Sequence, residues 1–267
     1  MPTATIKERN LQIAYQDLGS GIPLVLLHAF PLDSEMWFYQ LEDLSRDFRV
    51  IAPDLPGFGN SDDPTSAATV DVTADLIADF LDVIDVKGTI NLCGISMGGY
   101  IALAFARRQP QRLHTLILVD TKAEADDEKA LANRTKMAEL AREQGPSAVI
   151  STMLPNLLGK STQEENKMVV DKIQAIGKRQ KTSAIVRGLQ MLRERPDANP
   201  ELSRITVPTL VMVGDQDVIT PQHCSQNLVD KIELAKLDLI PNAGHLCPVE
   251  APQDFNAAIR EFLKRRL

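Results

Sequence analysis

A serine between glycines is the residue of this chain best placed to do chemistry. Ser96 lies in the run 94–99 (Gly-Ile-Ser-Met-Gly-Gly), after an apolar stretch and before a helix-forming one. Glycines remove the Cβ atoms that would collide in so tight a strand-to-helix turn, so the serine oxygen points outward. The free N–H groups at the start of the helix can stabilise negative charge beside it. A nucleophilic serine is predicted; a plain glycine-rich connector is the alternative.

A serine hydroxyl is a weak nucleophile at neutral pH, so it needs a general base. His245 follows a predicted strand, in a loop that can carry its imidazole to the carboxyl edge of the sheet. His114 precedes a strand and His223 begins a helix, where solvated or capping roles are expected. We therefore interpret His245 as the base.

The base in turn needs an acid that holds it in one tautomer. Asp215 and Asp217 follow another predicted strand, and Asp120 ends a third. The order Ser96, Asp217, His245 along the chain is the order that an α/β-type triad requires. Spacing alone does not choose among the three aspartates, and Asp after a strand is commonly a turn residue bonded to the backbone.

A tetrahedral acyl intermediate needs two donors for its oxyanion. The Met97 amide supplies one, and the Phe30 amide, in the loop that ends another buried strand, supplies the other. His28 is then a structural residue that ties this loop by hydrogen bonds. Phe30 and Met97 are also expected to contact the substrate, together with Leu154 and Val218.

The elements that must position these residues alternate between strand and helix. Strands are predicted as a hairpin over 5–15 and as runs at 24–27, 50–52, 90–93, 116–119, 210–213 and 237–240, and helices near 72–86, 97–108, 221–231 and 252–264. All these runs except the hairpin are expected to be buried. This alternation predicts an α/β fold with a mainly parallel eight-stranded sheet, helices on both faces and ligands at the carboxyl ends of the strands.

The alternation stops between residues 122 and 203, where Ala, Glu, Lys, Met, Leu and Gln dominate. Gly-Pro at 145–146 and Arg-Pro at 195–196 punctuate the run. We expect a helical cap over the site, with residues 1–121 and 204–267 as the core domain; an ordinary helical side layer is the alternative. Apolar residues of the cap, including Leu154, can face a short acyl or alcohol group or form its core.

Composition narrows the class of protein further. The 267 residues are 44% hydrophobic and carry a formal charge of −7, which argues against a nucleic-acid surface. Three cysteines at spacings that match no metal motif favour a reducing cytoplasm. No secretory signal or membrane-spanning stretch is recognised. We expect no metal, cofactor, nucleic-acid or membrane partner; the oligomeric state, monomer or homodimer, is left open.

The motifs together resemble the alpha/beta-hydrolase superfamily, specifically its small, cofactor-free bacterial esterases, enol-lactonases and perhydrolase-type enzymes. The resemblance spans nearly the whole chain and rests on 28–31 (His-Ala-Phe-Pro), 54–61 (Asp-Leu-Pro-Gly-Phe-Gly-Asn-Ser), 94–99, 214–217 (Gly-Asp-Gln-Asp) and 244–245 (Gly-His). It implies that Ser96 is the nucleophile, Asp217 the acid and His245 the base, with Phe30 and Met97 as oxyanion donors. At position 29 the family usually has glycine and this chain has alanine.

The resemblance also implies the activity. We expect a serine carboxylesterase that cleaves small carboxylic esters through an acyl-enzyme, without a cofactor. An enol-lactonase or other lactonase is the main alternative, with perhydrolysis as a side activity suggested by Pro31, and carbon–carbon bond hydrolysis is a weaker one. Dehalogenation is disfavoured because Ser96 stands where such enzymes use a carboxylate. A small-molecule receptor on the same fold is a further alternative from another class.

Overall fold

One mixed sheet runs through the protein, whose structure is a computed structural model that describes residues 1–264. Within these residues the sheet has eight strands, ordered β1-β2-β4-β3-β5-β6-β7-β8. They are β1 (Thr3–Ile6), β2 (Leu11–Leu18), β3 (Pro23–Leu27), β4 (Arg49–Pro53), β5 (Ile90–Ile95), β6 (Leu113–Val119), β7 (Thr209–Gly214) and β8 (Ala235–Ile240). β1 and β2 pair antiparallel with their neighbours, and the other strands are parallel. The predicted mainly parallel eight-stranded sheet is confirmed.

Helices lie on both faces of the sheet, as predicted. They are α1 (Phe38–Leu44), α2 (Val70–Val83), α3 (Met97–Arg108), α4 (Glu128–Leu157), α5 (Lys160–Glu165), α6 (Lys167–Lys178), α7 (Thr182–Glu194), α8 (Gln222–Lys231), α9 (Cys247–Glu250) and α10 (Pro252–Lys264). Side chains of a strand point to alternate faces, so each central strand contributes to two apolar clusters. Val25 packs in a cluster with α2, α3 and α8, whereas Leu26 packs with α1 and α10.

The edges of the sheet differ from its centre. At one edge, the predicted hairpin turns at Asn10, which takes a left-handed conformation with φ of 47°. At the other, β8 pairs on one side only, and its Leu239 is 46% exposed. The prediction of a buried strand at 237–240 is therefore wrong about burial, since an edge strand is covered less completely than a central one.

Helices α4 to α7 form the insertion between β6 and β7, as the composition of the region predicts. Gly145, with φ of 76°, kinks α4 where the sequence has Gly-Pro, and α7 ends at Glu194, just before Arg-Pro. The insertion begins after the carboxyl end of β6, so it starts at the edge of the sheet where parallel strands place ligands. Its division from the core as a separate domain over 122–203 stays a prediction.

Candidate active site

Ser96 occupies a strained turn between β5 and α3. Its backbone angles, φ of 51° and ψ of −113°, lie in a region that residues other than glycine rarely adopt. A Cβ on Gly94 would lie 2.2 Å from the carbonyl oxygen of Gly98, and one on Gly98 would lie 2.2 Å from that of Leu27. Because strand and helix approach this closely, only glycine fits at both positions, and the turn holds Ser96 at the carboxyl edge of the sheet.

Three side chains from different loops meet at this turn. The Nε2 atom of His245 lies 2.8 Å from the Ser96 Oγ, and its Nδ1 lies 2.9 Å from Oδ2 of Asp217. Since the carboxylate accepts a hydrogen bond from Nδ1–H, Nε2 carries no proton and can accept one from the serine hydroxyl. The imidazole is almost fully buried, at 1% exposure, so this geometry is held in a water-poor environment.

Asp217 is fixed by the turn that follows it. Its Oδ1 accepts hydrogen bonds from the amides of Ile219 (2.8 Å) and Thr220 (3.0 Å), and the Thr220 hydroxyl donates to Oδ2 at 2.7 Å. The same hydroxyl lies 3.3 Å from Nδ1 of His245. Asp217 is thus both a turn residue and the partner of the imidazole. Thr220 is a site residue that was not predicted from the sequence; the available signal was the turn itself, since an Asp in a turn commonly bonds the backbone that follows it.

The pKa values of the pair reflect its burial and mutual charge. Burial by itself would lower the pKa of His245, but the charge and hydrogen bond of Asp217, together with the charges of Asp120 and Glu250, raise that pKa above its ordinary value. Burial likewise opposes ionisation of Asp217, yet the charge of His245 and hydrogen bonds from His245 and Thr220 hold the pKa of Asp217 below its usual range. The pair therefore favours an ionised carboxylate that stabilises a protonated imidazole.

The other two candidate acids lie apart from the imidazole hydrogen bond. Asp215 is exposed. Asp120 is fully buried, and its carboxylate accepts the amides of Gly214 (2.9 Å) and Cys247 (3.2 Å). Burial and the nearby charge of Asp217 raise the pKa of Asp120 to about 7. Asp120 ties the end of β7 to the start of α9, while Asp217 contacts His245 itself.

The two predicted oxyanion donors follow neighbouring strands of the sheet. Met97 is the first residue of α3, and Phe30 follows β3, whose Leu27 is in register with Gly94. Within residues 1–264, neither the Phe30 nor the Met97 amide donates to another protein group. Two free amides at the ends of neighbouring strands can stabilise an oxyanion. Ala29, which precedes Phe30, is fully buried.

His28 braces the loop that carries Phe30. Its Nε2 accepts the Leu55 amide at 2.9 Å, so its Nδ1 carries the proton and donates to the Ala29 carbonyl at 3.0 Å. Burial lowers its pKa, which keeps the ring neutral. This contact set fits the structural role that the sequence predicts for His28.

A family model described as the alpha/beta hydrolase fold matches residues 22–252. This range contains strands β3 to β8 and all three of Ser96, Asp217 and His245. The chain belongs to the alpha/beta hydrolase family. Among solved structures, this alpha/beta hydrolase is 38% identical to a thermophilic esterase from Thermogutta terrifontis that has malate bound. The two superpose with a TM-score of 0.95, covering 99% of this chain and 98% of that one.

Lactonases are also among the relatives of this hydrolase. The enol-lactonase from Burkholderia xenovorans LB400 is 25% identical, with a TM-score of 0.90 over 98% of this chain and 100% of that one. The 3-oxoadipate enol-lactonase 2 of Acinetobacter baylyi is 27% identical, covering 98% of this chain and 96% of the relative. These likenesses place the hydrolase with the esterase group and its lactonase relatives.

A cavity of about 350 Å³ lies between the core and the insertion of the hydrolase, next to Thr220. Of the four residues predicted to contact substrate, Met97 follows Ser96 directly and Phe30 lies in the loop after β3. Leu154 packs half-buried against an apolar cluster. Val218 points outward and is 68% exposed. Leu154 and Val218 do not line the cavity, but the residues next to them in the chain, Met153 and Ile219, do. Substrate contact by Leu154 and Val218 stays a prediction.

Two further properties describe residues 1–264 of the hydrolase. No group of three or more His, Cys, Asp or Glu side chains in this part of the chain is arranged to hold a metal ion. None of its helices combines the length and the apolar character needed to cross a bilayer.

Proposed function

We propose that the protein is a serine carboxylesterase that cleaves small carboxylic esters through an acyl-enzyme. The observation that carries the proposal is the unbroken hydrogen-bond relay from Ser96 through His245 to Asp217, with separations of 2.8 and 2.9 Å. A relay of this kind gives an otherwise weak alcohol a proton acceptor in the right tautomer.

In the proposed reaction, His245 Nε2 takes the Ser96 proton as Oγ attacks the ester carbonyl. The Phe30 and Met97 amides bind the oxygen that becomes negative. His245, now protonated and stabilised by Asp217, returns the proton to the leaving alcohol as the C–O bond breaks. Water then enters and gives a proton to His245 as its oxygen attacks the acyl carbonyl. His245 returns that proton to the Ser96 Oγ as the bond to Ser96 breaks and the acid leaves.

The relatives support the ester class of substrate, since the Thermogutta terrifontis protein is described as an esterase. A lactone is the second candidate, favoured by the likeness to the enol-lactonase from Burkholderia xenovorans LB400. A lactone is a cyclic ester, so the same attack opens the ring and the alcohol stays attached to the acid. Both substrates use the same three side chains.

A parallel screen of the wild-type protein and Ser96→Ala tests the proposal. The substrates are p-nitrophenyl esters of increasing acyl length, a panel of lactones, and acetate with hydrogen peroxide for peracid formation. We expect multiple turnovers on short esters, and a loss of at least a thousandfold, about 4 kcal/mol of transition-state stabilisation, in the variant. Hydrolysis that survives in Ser96→Ala rejects the nucleophile, and binding without turnover in the wild type favours a receptor.

A further inference from the structure

The cavity beside Thr220 has a basic wall. Lys122, in the segment after β6, and Arg134, in the first half of α4, both line it. Tyr100, Met153 and Leu189 supply other parts of the lining. A mixed wall of this kind fits a small molecule with an apolar body and a negatively charged end.

The positive charge of this wall exceeds the negative charge around it. Asp126 is the acidic residue of the lining, and its buried carboxylate is shared by Arg134 Nε (3.0 Å) and by an Nη of Arg195 (2.7 Å). Glu124, the neighbouring acid, accepts from Asn227 of α8 and does not line the cavity. Asp126 carries one negative charge, and Arg134 and Arg195 carry two positive charges, so this cluster is net positive. Lys122 adds a further positive charge.

The cationic groups also have unused hydrogen-bond donors. Within residues 1–264, the Lys122 ammonium makes no hydrogen bond or ion pair, and Arg134 uses only its Nε. The two terminal nitrogens of Arg134 are therefore free to bind a carboxylate as a fork. Lys122 is half-buried, so a ligand that supplies negative charge compensates its partial loss of water.

The basic wall is close to the proposed catalytic residues. Thr220 lines the cavity and also donates to Asp217 at 2.7 Å. Tyr100 stands one helical turn after Ser96, a rise of about 6 Å along α3. Through Thr220 and Tyr100 the cavity adjoins the turn of Asp217 and the first turn of α3, which begins directly after Ser96.

We propose that Lys122 and Arg134 bind a second carboxylate of the substrate, so that the preferred substrates are monoesters or lactones of short dicarboxylic acids. This inference rests on the proposed ester hydrolysis and defines its substrate class. The free carboxylate forms charge-assisted hydrogen bonds in the cavity while the ester carbonyl lies at Ser96. A neutral ester of equal length lacks these bonds.

The test compares two substrates of matched length, ethyl hydrogen glutarate and neutral ethyl pentanoate. We expect the wild type to hydrolyse the anionic ester with a kcat/KM at least tenfold higher than that for the neutral ester. Added NaCl should lower this ratio, because salt screens the attraction between the carboxylate and the cationic side chains. Lys122→Met and Arg134→Met should each lower the ratio of the two kcat/KM values about tenfold. Asp126 keeps Arg195 as a partner in the second variant. Lys136→Met, an exposed lysine of α4 outside the cavity lining, is the control and should keep the ratio.

The outcomes separate this inference from the function on which it rests. A ratio near one in the wild type, or a ratio unchanged in both variants, overturns the carboxylate site, while Ser96-dependent hydrolysis of ethyl pentanoate still supports the esterase. If neither ester is hydrolysed, the esterase proposal fails. Calorimetric titration with glutarate then tests whether the carboxylate-binding site exists. Binding that weakens about tenfold in Lys122→Met then supports the site, and the absence of binding overturns it.

Discussion

Arg179, which follows α6 in the insertion, holds both carboxylate oxygens of Asp33, three residues after Phe30. One Nη lies 2.8 Å from each oxygen, and Nε lies 3.1 Å from Oδ2. The neighbouring Gln180 also donates to Oδ2, at 2.8 Å. Asp33 is 2% exposed, so a buried carboxylate is neutralised from the insertion. The pair fastens the insertion to the loop that carries a proposed oxyanion donor.

Replacing Arg179 by methionine should therefore weaken both stability and turnover. The change leaves Asp33 buried with Gln180 and the Glu35 amide as its remaining partners. We expect the free energy of unfolding to fall by about 1–2 kcal/mol, since Arg179 itself is partly exposed, and kcat to fall several-fold as the loop loosens. Urea unfolding and p-nitrophenyl ester kinetics measure the two effects.

The control for this change is Glu35→Gln. Glu35 also pairs with Arg179, at 2.7 Å, but both side chains are more than 40% exposed, so its loss should cost under about 0.5 kcal/mol. Equal effects of the two substitutions would show that the buried Asp33 carboxylate is not what Arg179 stabilises.

Asp217→Asn should reduce kcat by about three to four orders of magnitude while the protein stays folded. The neutral amide has no charge to stabilise the imidazolium, and its NH2 group can donate to Nδ1 and so favour the wrong tautomer of the imidazole. Steady-state kinetics on a p-nitrophenyl ester measures the loss. Asp215→Asn, two residues away and exposed, should keep activity within about twofold. Comparable losses in the two variants would contradict the role of Asp217.

The central sheet is predictable from the sequence because strands buried on both faces appear as short apolar runs bounded by turns. Leu24 to Leu27 is such a run, and it forms most of β3. The exposure of Leu239 in β8 is less predictable, since Leu239 also belongs to a mostly apolar run, interrupted only by Asp238, and its exposure depends on how many neighbours the strand has. Such information lies in the topology, not in the local pattern.

The candidate site was predictable where its residues lie in short, recognisable sequence motifs. The glycines around Ser96 and the Gly-His pair at 244–245 are visible in the sequence. The choice of Asp217 over Asp215 required the resemblance, because the two residues share one turn and differ only in burial. Lys122 and Arg134 gave no signal, since their segments meet Thr220 only after the insertion folds back over the core.

Asp120→Asn should shift the acidic limb of the pH–kcat/KM profile, the part over which kcat/KM rises with pH, to lower pH. His245 acts as a base only when neutral, so the rate rises as pH passes upward through its pKa. Asp120, whose pKa is about 7, carries its negative charge over the upper part of the pH range. That charge contributes to raising the pKa of His245, so a side chain that is neutral at every pH should lower the pKa of His245 and keep the base available in more acidic solution. A pH–rate profile between pH 5 and 9 on a neutral ester measures the shift.

Asp215→Asn is again the control for this profile and should leave the limb in place. A limb that moves upward in Asp120→Asn, or that does not move, would contradict the proposed coupling between the two buried groups.

Labelling with diethyl p-nitrophenyl phosphate, followed by peptide mapping, tests most directly whether the relay activates Ser96. The reagent phosphorylates an activated serine and releases p-nitrophenol, so the products can be counted by absorbance and located by mass spectrometry. We predict one diethylphosphoryl group per chain, on Ser96, with loss of ester hydrolysis in proportion and much slower labelling in His245→Ala. A label on another residue, or full hydrolysis with Ser96 unmodified, would contradict the account.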